Sequence, residues 1–213
     1  MIHGHDVDRF NRWATTYDRH WMQRLIFDPI QRTVLQQAAE LVERPGAILD
    51  VGCGTGRLLK SARARFPGAK LVGVDAAIEM VKQARRSDPS GTIQFQQATA
   101  EHLPFPVASF DLVFSTMTFH HWQDQAQGAA EVARVLTPGG RWLVAEFVAT
   151  GLMKPVRRLL RLHQFPDLSH LQGTLRDSGL TMVSEQRVPG LGGQVAVMAI
   201  AGEASRSSAK IAR

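Results

Sequence analysis

From Asp8 to Glu43 the apolar residues Phe10, Trp13, Tyr17, Trp21 and Leu25 recur every three or four positions, which predicts helix. A break is expected at Asp28-Pro29, because proline lacks the donor a helix interior needs. A second helical stretch, Ile30 to Val42, runs into Arg44-Pro45-Gly46, a stop. The character then changes. Ala47-Ile48-Leu49-Asp50-Val51 is a short apolar run that ends in Gly52-Cys53-Gly54-Thr55-Gly56, and a helix is expected from Arg57 to Phe66. Lys70 to Asp75 is a second short run, with a helix from Ala76 to Arg86 after it. Ile93 to Gln97, Phe110 to Ser115 and Arg141 to Val148 read as further strands. A helix from Asp124 to Leu136 fills the last gap and stops at Thr137-Pro138-Gly139-Gly140.

Short apolar strands alternating with helices of ten to fifteen residues predict βαβ units and a parallel sheet. The end of the chain differs. Met182 to Val188 and Gln194 to Ala201 are both strand-like and are joined by Pro189-Gly190-Leu191-Gly192-Gly193. So short a link joins antiparallel neighbours, so the last strand should be reversed. Residues 1–202 read as one domain, with 8–43 as a helical cap over the active site; 203–213, Ser/Ala/basic without periodicity, reads as a frayed tail.

Composition narrows the class. The 213 residues are 44% hydrophobic, enough for a core, and 25 Lys plus Arg against 19 Asp plus Glu give +6. One cysteine excludes an internal disulfide framework and a cysteine-based zinc cluster, and no metal is expected. No apolar run reaches the roughly 18 residues of a membrane span. The polar start, Met1-Ile2-His3-Gly4-His5-Asp6, carries no secretory pattern, so a cytoplasmic location is expected.

The chemistry gathers at Asp50-Val51-Gly52-Cys53-Gly54-Thr55-Gly56, between a strand and a helix. Glycines there let the backbone turn tightly and come close to a ligand, and the helix start offers free N–H groups. A dinucleotide fingerprint would need glycine at position 57, which is Arg57. A carboxylate two residues before the first glycine suits a ligand bearing an ammonium group better than a pyrophosphate. Asp75, closing the second strand, can accept from both hydroxyls of a ribose or can cap the next helix.

These residues, with Val72-Gly73-Val74-Asp75, Leu103-Pro104-Phe105, Ser109 to Val113, Phe119-His120-His121-Trp122 and Ala133 to Arg141, resemble class I S-adenosylmethionine-dependent methyltransferases. The similarity is greatest to the branch of quinone-biosynthesis and other small-molecule methyltransferases, and Trp13 to Asp18 is similar to its opening helix. The resemblance implies a Rossmann-like seven-stranded sheet of order 3-2-1-4-5-7-6, strand 7 antiparallel, with helices on both faces. It implies S-adenosylmethionine as cofactor, with Gly52, Gly54 and Gly56 beneath it, Asp50 at the amino-acid end, Asp75 on the ribose and Ala76 in the adenine pocket. Ser115 would lie beside the methionine arm, and Tyr17 would close over the cofactor or belong to the core. Where the family commonly carries an acid after strand 3, this chain has Thr99, followed by Ala100; a hydroxyl there accepts from the adenine amino group without charge assistance.

Methyl transfer needs alignment and sometimes a base. His120 and His121 follow the fourth strand, where the acceptor should sit, and Glu146 ends the fifth; all three are candidates for proton transfer or for packing. A small apolar or anionic acceptor is expected, with Met153 to His163 as a basic lid helix carrying Lys154, Arg157, Arg158 and Arg161. The same helix would suit contact with a membrane surface. A nucleic-acid acceptor and a catalytically idle binding protein remain alternatives.

Overall fold

The computed structural model describes residues 4–14, 23–148, 168–189 and 195–202. The chain opens with helix α1 (Gly4–Trp13), then a π-helical turn (Gln23–Phe27) that runs straight into α2 (Asp28–Leu41). The break expected at Pro29 is instead a change of winding. Pro29 falls in the first turn of α2, where its missing N–H leaves no bond unmade. Tyr17 lies outside the described residues.

Strands β1 (Ala47–Val51), β2 (Lys70–Asp75), β3 (Ile93–Gln97) and β4 (Phe110–Thr116) alternate with helices α3 (Arg57–Arg65) and α4 (Ile78–Arg86). Helix α5 (Gln125–Val135), β5 (Leu136–Phe147), α6 (Leu168–Asp177), β6 (Leu180–Arg187) and β7 (Val195–Gly202) complete the order. They form one seven-stranded sheet, β3-β2-β1-β4-β5-β7-β6. β1 to β5 pair in parallel, and β7 runs antiparallel to both β5 and β6, as the terminal hairpin predicted. The central strand β1 is buried after its first residue, as expected where helices cover both faces. In the edge strand β6 only Leu180 is buried, and the rest alternate exposed and half-buried positions.

Two apolar layers hold the sheet. On one face Ile48, Leu112, Phe114 and Leu143 pack with Ile30 and Val34 of α2 and Leu59 of α3. On the other Leu49, Val113, Trp142 and Val144 pack with Val132 of α5 and Leu171 of α6. Strand β5 begins at Leu136, not at Arg141. Leu136 pairs with Phe110 and Arg141 with Leu112, so Thr137 to Gly140 bulge out of β5 opposite Asp111, whose carboxylate accepts from Gly46 N, Ala47 N and Thr137 Oγ1. No helix among the described residues is long and apolar enough to cross a membrane.

Candidate functional site

The order of strands reverses between β1 and β4, and there a crevice opens beyond the carboxyl ends of the strands, the usual ligand position in such sheets. It is a cleft of ≈ 840 Å³ open to solvent. The glycine turn makes its floor. Gly52 and Cys53 both give their N–H to Val74 O, at 2.8 and 2.9 Å, which folds the turn over the end of β2. Gly54, at φ +53°, lines the cleft, and nothing lies within 4 Å of where its β-carbon would stand. That bare surface leaves room for a ligand against the backbone.

Asp75 forms the side wall. Its Oδ2 accepts from Gly54 N and its Oδ1 from Ala77 N, both at 2.8 Å. The N-cap of the next helix is Ala77, so Asp75 does not cap it, and each of its carboxylate oxygens keeps further acceptor capacity. The bond to Ala77 also delays α4, which starts at Ile78 where Ala76 was expected. Burial raises the Asp75 pKa, while the two N–H donors oppose that shift.

Asp50 lies buried behind Val51 and Gly52, and its Oδ1 has no hydrogen-bond partner. Burial, then the nearby charge of Asp75, pushes its pKa up to about 8. A buried carboxyl oxygen without a donor is costly and calls for one. The neighbouring Cys53 thiol is buried, and burial holds its pKa well above the usual value, so it is no nucleophile.

Of the cofactor positions expected from sequence, Gly52, Gly54, Asp75, Ala76, Thr99 and Ala100 come together on the cleft wall. Two do not. Gly56 packs instead: a β-carbon on it would stand 2.5 Å from Phe95 Cζ. Ser115 is fully buried, its hydroxyl accepting from Trp142 Nε1 at 3.1 Å, because period two puts it on the Val113 face of β4. Its place at the cleft is taken by Met117 and Thr118. Met117 has φ +56°, a strained turn that swings Thr118 onto Gly52. Sequence spacing carries no sign of that turn. Phe10 of α1 and Trp122 complete the apolar wall. Glu101 also faces the cleft, but its Oε1 accepts from Gln123 N and Asp124 N and so anchors the segment after the histidines.

His121 lines the cleft, with its ring edge-on to Phe10 at 5.2 Å. His120 lies behind it, the two ring centres 4.0 Å apart. His120 Nδ1 is 2.7 Å from Glu146 Oε2, and Glu146 Oε1 accepts from Phe119 N at 2.8 Å. The basic segment 153–163 lies outside the described residues.

The donor set fits S-adenosylmethionine. An orphaned buried carboxyl oxygen suits the ammonium, a second carboxylate suits the ribose hydroxyls, and the bare Gly54 surface gives the ligand room. A pyrophosphate would meet the Asp75 carboxylate on the cleft wall.

Comparison with known proteins agrees. A family described as "Methyltransferase domain" matches residues 49–144. Demethylmenaquinone methyltransferase of Deinococcus radiodurans is 38% identical over 138 residues, covering 63% of this chain and 57% of that one. Methyltransferase GfsG of Streptomyces halstedii is 31% identical over 193 residues, covering 80% of this chain and 69% of that one. A methyltransferase solved with the Haloferax volcanii Trm112 activator superposes with a TM-score of 0.77 at 20% identity, over 91% of this chain and 97% of that one. The chain spans between 50% and 57% of the length of the demethylmenaquinone methyltransferases it matches.

Proposed function

The chain belongs to the class I S-adenosylmethionine-dependent methyltransferases, and on that premise we propose that it methylates a small apolar acceptor of the quinol type. The observation that carries the cofactor half is the Asp50 Oδ1 left without a donor beside a bare glycine turn. The acceptor half rests on the apolar cleft wall of Phe10, Met117 and Trp122, and on likeness to proteins named for demethylmenaquinone.

When bound, S-adenosylmethionine supplies a methyl group on a sulfonium that leaves readily as a neutral thioether. The remaining work falls to the chain. Asp50 holds the ammonium, Asp75 the ribose hydroxyls, and Thr99 accepts from the adenine amino group. Phe10 and Trp122 present apolar surface to the acceptor and keep water from it. His121, on the cleft wall, is placed to take the acceptor's hydroxyl proton. The resulting oxyanion is richer in electrons at oxygen and at the adjacent ring carbon, which makes it the better nucleophile.

The test is incubation with S-adenosylmethionine and a demethylmenaquinol analogue of shortened side chain, followed by mass spectrometry. A methylated product formed in step with S-adenosylhomocysteine supports the reading. Tight cofactor binding with no product would remove the quinol and leave the methyltransferase. No cofactor binding would remove both.

A further inference from the structure

Glu146 is wholly buried at the end of β5, yet a buried carboxylate is expensive unless donors surround it. Here two do. Phe119 N–H donates to Oε1, and His120 Nδ1 stands 2.7 Å from Oε2. A proton on His120 Nδ1 would make both oxygens acceptors and satisfy the buried carboxylate, which is the tautomer this geometry favours. No Lys or Arg is recorded against Glu146 among the described residues; the positive partner it can acquire is an imidazole.

We infer that Glu146 is a positioning residue: it fixes the His120 proton on Nδ1 and supplies the negative charge that lets the His120–His121 pair accept a proton. The inference rests on the methyl-transfer reading of the cleft. Charge balance makes the case. Glu146, His120 and His121 together carry one negative charge before the acceptor is deprotonated and none afterwards, whichever ring holds the proton. The acceptor's O–H proton passes to a ring nitrogen, an electron pair of the oxyanion, at oxygen or at the adjacent ring carbon, forms the bond to the methyl carbon, and the C–S pair stays on sulfur. Attack from carbon is completed by loss of that carbon's proton to water as the ring regains its aromatic form. Glu146 acts one ring back from the cleft: it holds His120, whose ring centre stands 4.0 Å from that of His121. Glu146 from β5 and His121 on its own turn are titratable groups placed against His120, and α1 contributes the ring of Phe10 to His121. His121 is at the cleft and His120 keeps only 10% side-chain exposure, so the anion is reached through the rings and not by solvent.

The experiment is nitrogen NMR of the histidine rings in the full chain, with His120→Gln and His121→Gln for assignment, compared with Glu146→Gln. In wild type His120 should carry its proton on Nδ1. Glu146→Gln should transfer it to Nε2 and move the titration of the pair down by about one pH unit or more, the effect of removing an opposite charge within hydrogen-bond distance. The rate with the demethylmenaquinol analogue should fall at least about tenfold with the S-adenosylmethionine Kd unchanged. Glu146→Asp keeps the charge; it should keep the raised titration and recover part of the rate, and it stands in should the Gln variant not fold. The same tautomer and titration in wild type and Glu146→Gln would overturn the inference. Absence of S-adenosylmethionine binding in wild type would overturn the methyl-transfer reading instead, and the ring signals would tell the two failures apart.

Discussion

A β-carbon on Gly52 would lie 2.6 Å from Thr118 Cβ and collide with the Thr118 hydroxyl, so the turn after β1 and the turn after β4 meet at one glycine. Gly52 also sits at φ +79°, where an L side chain is strained whatever the space. Gly52→Ala should therefore lower the unfolding free energy by about 2–4 kcal/mol, strain and overpacking together. Urea denaturation measures it. Adding Thr118→Ala, which removes the atoms beyond Cβ, should recover part of the loss and leave the φ strain.

Asp50 predicts a pH dependence. Its pKa is about 8 in the fold against 3.8 ordinarily. Between those values the folded chain keeps a proton that the unfolded chain has lost, so stability falls as pH rises through that window. Asp75, also raised, acts in the same direction. The Tm of the free protein should drop from about pH 5 to about pH 8, and drop less in Asp50→Asn. Binding of an ammonium should expel the proton. Calorimetry of S-adenosylmethionine binding near neutral pH, in buffers of different ionisation enthalpy, should show release of up to about one proton in wild type and less in Asp50→Asn. Heats independent of buffer would remove Asp50 from the ammonium site.

Thr99→Asp should tighten the cofactor about fivefold, by about 1 kcal/mol, because a charged acceptor replaces a hydroxyl. Glu101 offers no substitute through Oε1, which serves Gln123 N and Asp124 N. Weaker binding in a folded variant would place the adenine away from Thr99.

His121→Ala should lower the methyl-transfer rate about 100-fold and leave cofactor affinity within twofold or so. A rate within a few-fold of wild type would assign His121 to packing against Phe10, a contact the structure also shows.

The sheet was legible because its strands are short apolar runs separated by helical periods, and Gly52, Gly54 and Asp75 were legible because the turn needs them. What stayed hidden depends on contacts between distant residues. Nothing near Thr137 announces that its hydroxyl will donate to Asp111 of β4 at the bulge in β5. Pro29 reads as a break until the π-helical turn before it is seen to lead into its helix. Ser115 and Thr118 exchange roles because a strand points every second side chain inward, and only the left-handed Met117 turns the chain to the cleft. Glu146 was visible as a candidate, but its pairing with His120 spans 26 residues and two elements.

The Asp75 carboxylate joins the glycine turn to the start of α4, through Gly54 N and Ala77 N, and in the proposed reading it also holds the cofactor's ribose. Calorimetric titration of S-adenosylmethionine into wild type and Asp75→Ala, with circular dichroism as the control for folding, tests the central claim most directly. The account predicts saturable one-to-one binding to wild type and at least a 100-fold loss, about 3 kcal/mol, in the variant, from two charge-assisted hydrogen bonds to the ribose. Equal affinity in a folded Asp75→Ala, or no binding to wild type, would contradict it.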